Sequence, residues 1–207
     1  MMNKWSFINI LFLILSLQLA GQTNDSGFSS LSSPEKWWVI WHPFKAKKAL
    51  EVSLRALLVT DSIKKTNTIG VDINGGKLDA FKHTFWMANL SHHIGEKASL
   101  KLGEAHEKGN YRSFLRGHPE DGFLPDKVSS DMDLFNNQAG AQISKKQPKA
   151  SEDELIQLTI AELAHGGLKI IKKDADVFLT CDGVPIPKAS LKGHWENDKC
   201  LIPSNDL

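Results

Sequence analysis

Cysteine is scarce in this chain and net charge is nearly absent. With only two cysteines, Cys181 and Cys200, a structural zinc site is a ligand short even if His194 is counted. A net charge of +1 gives no general attraction to nucleic acid, which is not expected as a partner, or to anionic membranes. No apolar run reaches the roughly 20 residues of a bilayer span, so the mature chain is expected to have no stable membrane span. Asn74-Gly75-Gly76 lacks the Lys-Ser/Thr that would complete a P-loop, and no serine sits in a nucleophile elbow. Internal repeats and low-complexity blocks are also missing.

The N-terminus is richer. Lys4 precedes an apolar run from Ile8 to Leu17, broken only by Asn9 and Ser16, and small residues follow at Ala20 and Gly21. This pattern predicts a signal peptide over residues 1–21 and a secreted or periplasmic mature protein. No cysteine lies near the cut, which argues against a lipoprotein anchor. Export permits a disulfide, and Cys181 and Cys200 flank a turn-rich segment that such a bond would staple. Two free thiols are the alternative.

Residues 22–32 are polar and read as a lead-in. From residue 33 to 207 the sequence predicts one mainly α domain, with residues 168–207 as a small β-hairpin or sheet. At 41% hydrophobic the chain can bury a sizeable core. Ser33-Pro34-Glu35 opens a short helix whose Trp37, Trp38 and Trp41 are expected to anchor the core. Pro43 opens the next helix, running to about Ser62. Its expected buried stripe is Ala46, Leu50, Leu54, Leu57 and Leu58, with Lys45, Lys47, Lys48 and Arg55 on a solvated or membrane-facing side. The segment from Gly109 to Asp131 reads as a long loop. Ser151 and Glu154 form a capping box for the last helix.

The chemistry concentrates between Gly75 and Glu107. Asp79, His83 and Trp86 fall on one helix face at spacings of four and three. Glu104, His106 and Glu107 follow on a second helix. Asp133, Asn136, Asn137 and Gly140 repeat at helical spacing on a third. Each polar stripe runs beside an apolar one, so docking the apolar stripes brings the polar ones together.

Three motifs here, DAFKHTFW, GEAHE and MDLFNN, resemble an uncharacterised bacterial domain family. Its members show Asp-Ala-Phe-Arg-His-x-x-Trp, then His-Glu, then Met-Asp-x-x-Asn-Asn. The flanking PEKWWVIWHPFKAKKA and GNYRSFLRGHPEDGFLPDKVSSDMD resemble secreted Bacteroidetes-type members. Lys82 stands where the family has arginine, and a lysine is not a planar two-pronged donor. The resemblance brings no activity with it.

Three readings of the cluster remain open. In the first, Asp79, His83, His106, Glu107, Asp133 and Asn137 form a hydrolase site. A divalent metal on candidates His83, His106, Glu107 and Asp133 would assist, and Asn137 would orient the substrate. In the second, the same groups form a buried hydrogen-bond network locking helices together. The third is a secreted binding module that uses the tryptophans and the long loop.

Overall fold

The computed structural model of the chain describes residues 27–119 and 123–206. The expected signal peptide lies outside the described residues. Of residues 1–31, the described part is a 3-10 turn over Phe28–Ser30. Residues 32–207 form a compact unit of their own. It is mainly α, with helices α1 (Ser33–Trp41), α2 (Pro43–Thr66), α3 (Lys77–Ile94), α4 (Glu96–Leu115), α5 (Lys127–Lys146), α6 (Glu152–Ala164) and α7 (Lys188–Leu191), and strands β1 (Lys169–Ile171), β2 (Lys173–Asp174), β3 (Val177–Phe178) and β4 (Leu201–Pro203).

Helix α3 is the centre of this unit. Thirteen of its residues are buried, on every side of the helix, as expected of a helix surrounded by others. Its most extensive contact is with α5, and α2, α4 and α6 pack around the rest. One core cluster joins Trp38, Val52, Met87, Leu90 and Leu102, and a second joins Val59, Phe81, Phe85, Ile143 and Leu155. The α3–α5 contact is close because α5 has Gly140 where the helices cross. A Cβ there would collide with the backbone carbonyl oxygen of Thr84. Gly103 lets α4 approach in the same way, since a Cβ there would press on Met87 and on the Asn137 amide at 2.9 Å.

The helix ends follow from local chemistry. Ser32, one residue earlier than expected, caps α1, with a reciprocal Glu35 bond and Pro34 in the first turn. Ser151 and Glu154 cap α6 in the same manner. Gly75 takes φ +82° just before α3, a backbone state that L side chains resist.

Three sequence expectations are corrected. On α2 the buried residues are Ala49, Val52, Ala56, Val59 and Thr60, whereas Leu50, Leu54, Leu57 and Leu58 are exposed. Small residues let α2 lie close against α3, and the bulkier leucines occupy the opposite side. Of the α1 tryptophans, Trp38 alone is in the core, where its indole donates to Ala98 O at 2.9 Å; Trp37 and Trp41 are exposed. The expected loop after Gly109 is shorter, because α4 continues to Leu115 and α5 begins at Lys127.

The C-terminal part holds two small antiparallel pairs, β1 with β4 and β2 with β3. Asn136 fastens β1 to α5 by bonding both backbone groups of Lys169, each at 2.9 Å. Cys181 and Cys200 form a disulfide across a separation of 19 residues. Replacing both by serine is expected to lower stability by about 3 kcal/mol in the chain-entropy account of loop closure. Urea melts of the oxidised wild type and the variant measure it, and identical midpoints would refute it.

Candidate functional site

Asp79 and His83 sit one turn apart on α3, and Asp133 faces them from α5. One donor atom from each lies within 4.8 Å of the others, and all three residues are buried. His83 Nε2 is 3.4 Å from Asp133 Oδ1 and 3.7 Å from Asp79 Oδ1. The glycine crossing at Gly140 sets this spacing, since Asp133, Asn137 and Gly140 are at i, i+4 and i+7 of one α5 face.

The Asp79 carboxylate is held from outside the trio. Gly75 N–H donates to Oδ2 at 2.8 Å, and Lys82 Nζ lies 3.0 Å from Oδ1. The other two members are less well satisfied. His83 Nδ1 and both polar atoms of the Asn137 amide are buried without a hydrogen-bond partner, and Asp133 Oδ1 has only its approach to His83. Asn137 is near enough to favour protonation of His83, yet no atom pair between them is aligned as a hydrogen bond. Buried polar groups left this way cost stability.

Burial dominates the electrostatics. It holds the His83 imidazolium well below its ordinary range, with Lys82 and His106 pressing the same way. Burial, then Asp79 and Glu107, push the Asp133 carboxyl well above its ordinary range. The unfolded chain therefore takes up the His83 proton first, and stability falls as pH drops below the ordinary histidine value of 6.5. The folded chain keeps the Asp133 proton longer, so stability from that group is lost as pH rises from 3.8 through the raised value. In chelated protein at mildly alkaline pH, Asp133→Asn is accordingly expected to be more stable than wild type. A melt showing it less stable would contradict this account.

His106 and Glu107 sit beside the trio rather than in it. His106 Nδ1 is 3.0 Å from Glu35 Oε1 on α1, and its ring lies 6.3 Å from that of His83. Burial opposes ionisation of Glu35, but His106 and Ser32 outweigh it and hold that carboxyl low. Glu107 Oε2 accepts from Ser130 Oγ at 2.7 Å and Asn110 Nδ2 at 3.2 Å. Both residues of the His-Glu pair are thus engaged with helices α1, α4 and α5, and Glu104 is exposed. Trp86 touches both imidazoles edge-on and donates to Ser53 Oγ at 2.8 Å. Asn136 binds β1 and points away from the site.

The trio opens on a cleft of about 50 Å³ lined by Asn74, Asp79, Lys82, His83, Asn110, Phe123, Asp133 and Lys199 among others. The volume suits one or two waters or the polar end of a substrate. Sequence reasoning did not place Lys82 or Lys199 here. Lys82 had a usable signal, being three residues from Asp79 on one helix. Lys199 had none, since it comes from the far end of the chain. Its ammonium pairs with the buried carboxylate of Asp126, the N-cap of α5, and lies 3.8 Å from the Phe178 ring centroid. A larger cleft of about 310 Å³ lies elsewhere, along Ser91, His92, Glu96, Ser144 and Lys145. It contains none of the acid–imidazole trio, so size does not decide between the two.

A family model described as a domain of unknown function, DUF6973, matches residues 36–167. That range contains the trio, Asn137 and both crossing glycines. Neither a curated protein nor a solved structure matches the chain.

Proposed function

The chain belongs to the DUF6973 domain family, and we propose that in this member Asp79, His83 and Asp133 hold a divalent cation and serve a hydrolase acting on a small polar or ester-type group. The supporting observation is the convergence of three buried donors from two helices at the floor of a cleft. One imidazole and two carboxylates suit zinc, manganese or iron. His83 is kept neutral, as a ligand must be, and the raised Asp133 carboxyl is a group whose ionisation a neighbouring cation would favour. Of the candidates predicted from sequence, His106 and Glu107 are left out of the ligand set, because the donor atoms that lie within 4.8 Å of one another belong to Asp79, His83 and Asp133.

When bound, such an ion supplies Lewis acidity and a water of lowered pKa. The chain's own groups do the rest. Gly75 N–H fixes the Asp79 carboxylate and Lys82 adds a positive charge beside it on the cleft wall, whereas the charge of Lys199 is taken up by Asp126. Asn137, buried and outside the cleft lining, acts on the His83 imidazole rather than on the group that enters. The exported setting implied by the leader and the disulfide belongs to the same reading.

A second reading rests on one observation: Asp79 already has two partners, Gly75 and Lys82, as a member of a structural network would. The two separate in a thermal melt. Added manganese or zinc at a hundred times its dissociation constant should stabilise a binding protein by about 2.7 kcal/mol, and His83→Ala should abolish that gain. A network predicts no gain from any ion and a loss of about 1–3 kcal/mol in His83→Ala from stranding buried partners. Absence of both metal binding and hydrolysis of ester and phosphodiester substrates would end the hydrolase reading.

A further inference from the structure

The net charge of +1 conceals a local imbalance at the corner where α1 meets α2. Between Ser33 and Glu51 there are four lysines, Lys36, Lys45, Lys47 and Lys48, and two acids. Glu35 is turned inward onto Ser32 and His106, Glu51 pairs with Lys48, and Lys45 donates to Ile94 O, which leaves the corner with an excess of positive charge. At the same corner Trp37, Ile40, Trp41 and Phe44 face solvent, Trp41 with 75% and Phe44 with 98% of its surface exposed. Aromatic residues of this size offer roughly 150–250 Å² each, so the patch exceeds what scattered surface residues explain. It continues along α2 in the exposed Leu50, Leu54, Leu57 and Leu58.

We infer that this corner docks the protein on an anionic phospholipid bilayer, with Trp37, Ile40, Trp41 and Phe44 entering the interface and the lysines meeting the headgroups. Tryptophan and phenylalanine beside lysine is the composition of an interfacial anchor, and indole rings settle at the depth where apolar and polar layers meet. Each lysine near an anionic surface contributes about 1 kcal/mol. Among the described residues no helix is long and apolar enough to cross a membrane, so the contact is peripheral. A second copy is a poorer occupant. A two-fold contact would set the patch against itself and bring eight lysines together, whereas a bilayer supplies the opposite charge. Nothing in this inference depends on the metal reading, since the patch lies on α1 and α2 and the trio on α3 and α5.

The test is co-sedimentation of the mature chain with vesicles of phosphatidylglycerol and phosphatidylcholine, against vesicles of phosphatidylcholine alone. The wild type should bind the anionic vesicles, and high salt should weaken that by about tenfold or more. W41S/F44S should bind about tenfold more weakly and K47E several-fold more weakly, both melting like the wild type, since these side chains are exposed. Brominated lipid should quench wild-type fluorescence more than that of a W37F/W41F variant. Equal binding to neutral vesicles, or full binding by W41S/F44S, would overturn the proposal. A dimer in sedimentation that W41S/F44S dissolves, with no vesicle binding by the wild type, would overturn it in favour of self-association.

Discussion

Gly140→Ala is expected to destabilise the protein by about 4 kcal/mol or more, beyond the usual range for overpacking. The added methyl would meet the Thr84 carbonyl oxygen and press on Ala88 N at 3.0 Å. Both are backbone atoms inside a buried helix, so relief requires α3 and α5 to separate. Ala88 and Ala141 are fully buried around this crossing, and a gap opened there would forfeit close packing. Gly103→Ala is the comparison. It meets the far ends of the Met87 and Asn137 side chains, which can swing aside, so its cost should be nearer about 1 kcal/mol. Urea melts of both variants decide the matter. A Gly140→Ala midpoint close to that of Gly103→Ala would show that the crossing is softer than its geometry implies.

Lys199→Met is expected to cost about 3–5 kcal/mol, because removing one partner of a buried ion pair strands the other. Both side chains are only 7% exposed, and Asp126 also caps α5 by accepting from Ser129 N at 2.9 Å. The double variant Lys199→Met/Asp126→Asn should recover much of the loss, since the asparagine can still cap and no charge is left buried. If the single and double variants melt alike, the pair is not coupled in the way its burial suggests. Denaturant midpoints of the four members of this cycle supply the coupling energy directly.

Much of the fold was legible because helix ends are local. Ser151 with Glu154, Pro43 after His42, and Gly75 before α3 each declare a boundary within a few residues. The convergence of Asp79, His83 and Asp133 was legible for a related reason: helical spacing fixes which residues share a face. The error on α2 shows the limit of that rule. Its apolar residues fall on two faces, and hydrophobicity alone favoured the leucines, whereas the close approach of α3 selected Ala49, Val52 and Ala56. The surroundings of His106 and Glu107 were not legible. They lie near the trio with partners on α1 and α5, and a partner about 71 residues away, as Glu35 is from His106, leaves no local trace. The C-terminal β part was legible, and β2 pairs with its neighbour β3 as a hairpin would, but the pairing of β1 with β4 across the disulfide-linked segment was hidden.

The family pattern spans residues 36–167, while Lys199, on the wall of the cleft, comes from beyond it. The trio and the glycines that set its spacing therefore belong to one stretch of sequence, and part of the cleft's rim to another. Mutations in the tail that keep the Lys199–Asp126 pair can reshape the rim without disturbing the groups beneath. Over evolutionary time the two stretches can drift at separate rates, so related chains are expected to keep Asp79, His83, Asp133 and Gly140 in place while exchanging the tail that borders them.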